Sequence, residues 1–210
     1  MRHRPLQPDG TTPRACRFGG RRVIALLVVA AVTAIPAGRS PAAAGPLKSG
    51  REVGQRVPSF YVRAVTGPLR NRSVCYVCRN GSRPVVMILF RRLDGGLVPL
   101  LKQVETLIDR NRAEGLRGFG VLISDEPSGG VSKVQTLAFD RKISSGLPLT
   151  VSTDAVASPS CQNVHREAAI TVVLYRRQRV VKTYAFRAGE PTAAQVRSVI
   201  ASARRLLKTS

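Results

Sequence analysis

Short apolar runs that alternate with segments of helical spacing constrain the fold of this 210-residue chain more than any other feature. The run 84–90, PVVMILF, is continuously apolar, which is typical of a strand buried on both faces. The runs 119–124 and 147–152 have the same character. Between these runs, apolar residues recur at helical spacing, strongly over 97–108 and more weakly over 131–138. Strands that alternate with helices imply parallel pairs joined by crossover connections, so we predict an α/β domain.

Two further apolar runs near the C-terminus predict an antiparallel addition to this sheet. Ala168–Tyr175 is followed by the polar residues RRQR and then by Val180–Phe186, which indicates a hairpin. A last helix is predicted from Pro191 onward, with an apolar face formed by Val196, Val199, Ile200, Ala203, Leu206 and Leu207. Before the first buried run, the alternating segment Arg56–Val65 predicts a strand, and the Gly- and Pro-marked residues 66–84 predict a loop.

The start of this region carries a Gly-x-x-x-Pro-x-Phe pattern, formed by Gly54, Pro58 and Phe60. Together with the order of elements and the closing strand pair, the pattern resembles exported bacterial thioredoxin-like proteins related to peroxiredoxins, of the AhpC/TSA type. The resemblance implies a thioredoxin-like three-layer sandwich with a central mixed sheet. We therefore expect a thioredoxin-like domain over residues 53–208, preceded by a short linker over residues 45–52.

The first 44 residues have the pattern of a secretory signal peptide. Six arginines precede the apolar stretch Val23–Ile35, which is shorter than the roughly 20 residues of a bilayer span, and small residues follow it. We predict that residues 1–44 are a signal peptide and that the domain is extracytoplasmic, periplasmic or secreted, where disulfides persist. An uncleaved N-terminal anchor stays open as an alternative.

The chain is strongly basic, with a net charge of +22 and 28 arginines against 6 lysines. A single-stranded nucleic-acid surface combines basic residues with aromatic stacking platforms, and no such cluster stands out here. We therefore predict a solvated basic surface without a specific nucleic-acid site. Peripheral contact with an anionic surface stays open, as does the oligomeric state.

A Cys-x-x-Cys pair, Cys75 and Cys78, lies ahead of the first buried strand and is the candidate catalytic site. Residues 79–84, RNGSRP, are typical of turns, so we expect no helix to open there and no helix dipole to stabilise a thiolate. Arg72, Arg79 and Arg83 are candidates to supply part of that stabilisation.

Three interpretations of the pair stay open: reversible redox chemistry, an inert structural disulfide, or half of a metal site. The leading prediction is a thiol–disulfide oxidoreductase or redox-responsive protein that uses Cys75 and Cys78 with a thiol or disulfide protein partner. The alternative is a non-catalytic binding or structural module in which the pair is a structural disulfide. The sequence does not indicate which cysteine attacks.

The resemblance fails at the place where its members carry their reactive cysteine. Peroxiredoxin-like proteins place that residue just after the strand that corresponds to 85–90, whereas this chain has RRLDGGLVP there. The difference argues against peroxidase chemistry of the peroxiredoxin type. Arg91, Arg92 and Asp94 are expected to form a solvated loop with an ion pair.

A zinc site would need ligands beyond the cysteine pair. Cys161 and His165 are four residues apart, so one helical turn would place both on one face and complete a Cys₃His set with Cys75 and Cys78. The implied topology separates the two pairs by the length of the sheet. We therefore predict no tight zinc or copper binding and no cofactor, and the role of Cys161 stays open.

Overall fold

The computed structural model describes residues 45–93 and 95–208, which lie in one compact unit. The described strands are β1 (Val62–Ala64), β2 (Ser73–Val74), β3 (Val85–Phe90), β4 (Arg117–Ile123), β5 (Leu149–Ser152), β6 (Ile170–Arg176) and β7 (Arg179–Phe186). The described α-helices are α1 (Tyr76–Asn80), α2 (Leu97–Arg110), α3 (Pro127–Asp140) and α4 (Ala193–Lys208), and a short 3₁₀ helix spans Asp154–Ala157.

The strands form one mixed sheet in the order β2-β1-β5-β4-β3-β6-β7. The strands β3, β4 and β5 are parallel, whereas β6 and β7 form the antiparallel hairpin at one side. The antiparallel register of β3 with β6 pairs Val85 with Tyr175 and Phe90 with Ile170. The mixed α/β sheet predicted from the sequence is therefore confirmed, and the start of β3 lies beside the end of β6.

Side chains of β3 alternate between two apolar cores, one on each face of the sheet. Val86, Ile88 and Phe90 lie in the core shared with α2, α3 and α4. Val85, Met87 and Leu89 lie in the second core, which is closed by shorter segments. Those segments contribute Val57, Phe60, Cys75, Tyr76, Val77, Val156, Ala157 and Val164. The sheet is thus covered on both faces, and the cysteine pair belongs to the cover of the second face.

The loop predicted over residues 66–84 is wrong in part, because the structure forms β2 and the one-turn helix α1 within it. The turn-forming residues are correctly located, since α1 ends at Asn80 and Gly81 adopts a φ of 56°. They terminate a helix that begins at the cysteine pair. The expectation that no helix opens beside the pair is therefore corrected, and a five-residue helix is too short to show helical periodicity in the sequence.

Two element boundaries also differ from the prediction for clear reasons. The segment 56–65 forms a strand only over Val62–Ala64, with an isolated bridge between Arg56 and Arg179, and Pro58 has no N–H for a ladder. Helix α4 begins at Ala193 and not at Pro191. Thr192 Oγ1 accepts from Gln195 N at 3.4 Å and Gln195 Oε1 accepts from Thr192 N at 2.7 Å, a capping box that sets the helix start.

Candidate functional site

The cysteine pair lies at the end of the sheet where β3 begins. Cys75 follows β2 directly, and Cys78 lies within α1, which leads through residues 81–84 into β3. At this end, Arg117 N donates to the Pro84 carbonyl at 3.0 Å and Arg177 N donates to the Ser82 carbonyl at 3.2 Å. The connection after α1 is thereby fixed to the start of β4 and to the β6–β7 turn, so the site has a defined position on the sheet.

Cys75 and Cys78 form a disulfide, with their Cα atoms 5.4 Å apart. The two residues differ sharply in exposure, because Cys75 is only 6% exposed whereas Cys78 is exposed. Cys75 is a member of the second apolar core. A reagent in solvent can therefore reach residue 78 far more readily than residue 75.

The backbone of α1 also distinguishes the two sulfurs. Cys75 is the N-cap of the helix, and its Sγ accepts a hydrogen bond from Cys78 N at 3.2 Å. A hydrogen bond to a charged group stabilises the charged form. The Cys78 N–H is thus placed to stabilise the negative charge on Cys75 Sγ when the disulfide opens.

Apolar contacts hold α1 and its N-cap against the sheet. The Tyr76 ring stacks on Phe119 of β4 with a centroid distance of 5.1 Å, and Val77 is fully buried. Burial raises the pKa of the Tyr76 hydroxyl, against the opposing influence of Arg79. Because Tyr76 and Val77 separate the two cysteines in sequence, their burial fixes Cys75 inward and leaves Cys78 on the surface.

The loop that follows β3 is where the resemblance seen in the sequence would place a reactive cysteine. This loop holds an ion pair instead. Arg91 follows β3 and contacts Asp154 at 2.6 Å, while its backbone N donates to Ala169 O. Arg91 therefore pairs with Asp154, a residue of the 3₁₀ helix, whereas the ion pair expected among Arg91, Arg92 and Asp94 stays a prediction because Asp94 lies outside the described residues. The only other cysteine in the described part of the chain, Cys161, is not on this loop.

Cys161 and His165 do not adopt the single helical turn that a shared metal site would use. Both lie in turn and irregular structure, with Cys161 half-buried and its thiol pKa raised by burial. His165 Nδ1 accepts from Glu167 N at 3.2 Å. No group of three His, Cys, Asp or Glu side chains suited to a metal occurs within 45–93 and 95–208. The absence of tight metal binding stays a prediction.

Comparison with solved structures identifies the architecture. A protein disulfide isomerase candidate from Bacteroides thetaiotaomicron superimposes with a TM-score of 0.58 and 18% identity, over 77% of this chain and 95% of that one. A candidate thiol:disulfide interchange protein DsbE from Chlorobium tepidum superimposes with a TM-score of 0.54 and 11% identity, over 74% of this chain and 98% of that one. A variant of Xylella fastidiosa PrxQ superimposes with a TM-score of 0.57 and 11% identity, over 75% of this chain and 98% of that one.

The chain has a thioredoxin-like fold. The resemblance seen in the sequence is thereby confirmed at the level of architecture, and identities of this size carry no information on activity. No protein-family model and no curated protein matches the sequence. In the part of the chain that the structure describes, no helix is long and apolar enough to cross a membrane.

Proposed function

We propose that this thioredoxin-like protein is an extracytoplasmic thiol–disulfide oxidoreductase in which Cys75–Cys78 is the redox-active pair. The observation that carries the proposal is the asymmetry of the disulfide, with one sulfur exposed and the other buried beside a hydrogen-bond donor. The fold is compatible with the proposal, because a candidate thiol:disulfide interchange protein from Chlorobium tepidum shares it. The cellular location rests on the predicted signal peptide over residues 1–44, which lies outside the described residues.

The proposed exchange begins at Cys78. A partner thiolate attacks Cys78 Sγ, a new sulfur–sulfur bond forms, and the Cys75–Cys78 bond breaks with its electron pair on Cys75 Sγ. The Cys78 N–H stabilises the Cys75 thiolate that leaves. A second partner thiolate then attacks the partner's sulfur and releases the Cys78 thiolate. The partner dithiol loses two electrons to become a disulfide, and its two protons pass to the solvent or to the released thiolates.

The reverse direction uses the same atoms. The exposed Cys78 thiolate of the reduced protein attacks a partner disulfide and forms a mixed disulfide. The Cys75 thiolate then attacks Cys78 Sγ, closes the internal disulfide and releases the partner as a thiolate. In both directions Cys78 contacts the partner and Cys75 acts inside the protein, which is the assignment that the sequence left undetermined.

A structural disulfide is the second candidate, and the burial of Cys75 favours it. Neither cysteine lines any of five prominent cavities of the described residues. In this alternative the disulfide fastens the residue that follows β2 to α1. Loss of the disulfide would then lower stability without removing any exchange activity.

Turnover assays with a reducible disulfide protein separate the two candidates. Under the proposal, the wild-type protein accelerates reduction of insulin by dithiothreitol, and both Cys78→Ser and Cys75→Ser abolish that acceleration. A Cys161→Ser variant is the matched control, because it removes a thiol outside the pair and should retain activity. Wild-type protein that gives only the uncatalysed rate, with a disulfide that dithiothreitol does not open in the folded state, would reject the oxidoreductase and leave the structural disulfide.

A further inference from the structure

The chain around Cys78 is rich in arginine and lacks carboxylates. Residues 53–90 contain six arginines and no aspartate or glutamate. Arg79 follows Cys78 directly within α1, and Arg83 Nη1 donates to the Arg79 carbonyl at 3.4 Å. Both arginines are exposed. The surface at the reacting sulfur is therefore positively charged.

Two arginines from other elements join this surface. Arg117, at the start of β4, is fixed beside Arg83 because its backbone N donates to the Pro84 carbonyl. Partial burial, followed by repulsion from Arg83 and Arg112, lowers the pKa of Arg117. We name Arg79, Arg83, Arg112 and Arg117 the arginine cluster. It spans α1, residues 81–84, the α2–β4 connection and the start of β4.

Few ion pairs with carboxylates neutralise the positive charge of the arginine cluster. Among the carboxylate ion pairs of the described residues, only Arg112 with Asp109, at 3.3 Å, involves a member of the cluster. Both side chains of that pair are half-exposed, so solvent weakens their interaction. The positive charges of Arg83 and Arg112 repel that of Arg117, and an approaching group of carboxylates would relieve this repulsion. The same field would speed the encounter with an acidic partner.

We infer that the partner that exchanges with Cys78 is an acidic polypeptide, with aspartate or glutamate residues flanking its reactive cysteine. The inference rests on the proposed exchange at Cys78 and assigns the class of partner. A polypeptide fits better than a small acidic thiol, because the arginine cluster extends over four segments and can contact several carboxylates. Arg79 and Arg83 are the specificity-determining residues, since they lie nearest to Cys78 in the chain.

The test compares two synthetic peptides that each contain one cysteine. In the acidic peptide, aspartate and glutamate flank the cysteine, and in the basic peptide lysine residues do. Opening of the Cys75–Cys78 disulfide is followed by acid quenching, thiol alkylation and mass spectrometry. At about 0.01 M salt, where the Debye length is about 30 Å, we expect the acidic peptide to react roughly tenfold faster per thiolate. At about 1 M salt, where that length is about 3 Å, the difference should disappear.

Charge-reversal variants make the comparison specific to the arginine cluster. The double variant Arg79→Glu with Arg83→Glu should reverse the peptide preference. The matched control, the double variant Arg197→Glu with Arg204→Glu, places the same two charge reversals on exposed positions of α4, which packs on the other face of the sheet, and should leave the preference intact. Equal peptide rates in the wild-type protein, or a preference unchanged in the double variant of Arg79 and Arg83, would overturn the inference.

Two small thiols complete the design. Dithiothreitol carries no charge beyond its attacking thiolate, so its rate should change far less among the variants than the rate of the acidic peptide. Failure of dithiothreitol to open the disulfide of the wild-type protein refutes the proposed exchange itself. Normal reduction by dithiothreitol without peptide discrimination refutes only the acidic partner. Glutathione should depend less on Arg79 and Arg83 than the acidic peptide does, and an equal dependence would overturn the choice of a polypeptide.

Discussion

The backbone N–H of Cys78 donates to Sγ of Cys75 at 3.2 Å, so one cysteine of the disulfide caps the helix that contains the other. This contact keeps a donor beside the buried sulfur whether the disulfide is closed or open, provided that α1 keeps its place. Tyr76 and Val77, which lie between the two cysteines, hold α1 on the sheet. The two sulfurs therefore differ in access and in stabilisation, and they are expected to play different chemical roles.

The first prediction concerns which of the two cysteines reacts with the partner. In Cys75→Ser the remaining Cys78 should be alkylated at least tenfold faster than the remaining Cys75 in Cys78→Ser, because residue 78 is exposed and residue 75 is 6% exposed. Rates of carbamidomethylation, measured at each cysteine by peptide mass spectrometry, test this. Faster alkylation of Cys75 would reverse the assignment of the attacking sulfur.

The second prediction concerns alkaline stability. Burial raises the pKa values of the Tyr175 and Tyr76 hydroxyls and of the Cys161 thiol above their ordinary values. Folding therefore favours the protonated forms of these groups, which adds to the free energy of unfolding. This added stability is fully present below the pKa values of the unfolded chain and is lost as the pH rises from those values toward the higher pKa values of the folded protein. The free energy of unfolding, measured by urea denaturation, should fall above pH about 9 to 10.

Tyr175 is the most deeply buried of these three groups and supplies the control for the alkaline prediction. Tyr175→Phe removes the ionisable hydroxyl and keeps the ring, so its stability should fall less steeply above pH about 10. An identical slope in the wild-type protein and in Tyr175→Phe would show that this hydroxyl does not contribute.

The third prediction concerns the close approach of α2 to β4. A Cβ added at Gly118 would lie 2.5 Å from Ile108 Cδ1 and 2.9 Å from the Val86 carbonyl oxygen. Gly118→Ala should lower the free energy of unfolding by about 1–3 kcal/mol, the usual cost of overpacking a core. Gly45→Ala, where no atom lies within 4 Å of the added carbon, is the control and should change stability little. Equal stabilities of the two variants would contradict the packing described here.

The fourth prediction concerns export. N-terminal sequencing of the exported protein should find residues 1–44 removed, because Val23–Ile35 has the length and flanks of a signal peptide. Recovery of the intact chain from a membrane fraction would support the uncleaved anchor instead.

The centre of the sheet could be predicted from the sequence because its strands are buried on both faces. β3, most of β4 and β6 show this as continuous apolar runs, whereas β7, which is partly exposed, was indicated by its position across the RRQR turn. The helices α2 and α4 were equally clear, since each presents one apolar face. Apolar runs and helical faces are local patterns, so they can be recognised in a single sequence.

The geometry of the site could not be predicted, because it depends on contacts between distant residues. Asn80 and Gly81 indicated a turn, and nothing local revealed that a one-turn helix precedes them. The outward position of Cys78 follows from the stacking of Tyr76 on Phe119, which lies 43 positions further along the chain. Arg117 joins Arg83 only through the pairing of β3 with β4.

The reduction potential of the Cys75–Cys78 disulfide tests the central claim most directly. The folded protein would be equilibrated in a graded series of glutathione and dithiothreitol buffers, with free thiols trapped and counted by mass spectrometry. An exchange disulfide with an exposed sulfur is predicted to have a potential above about −300 mV, within reach of physiological thiol partners. A potential below about −300 mV would mark a structural disulfide and contradict the oxidoreductase proposed here.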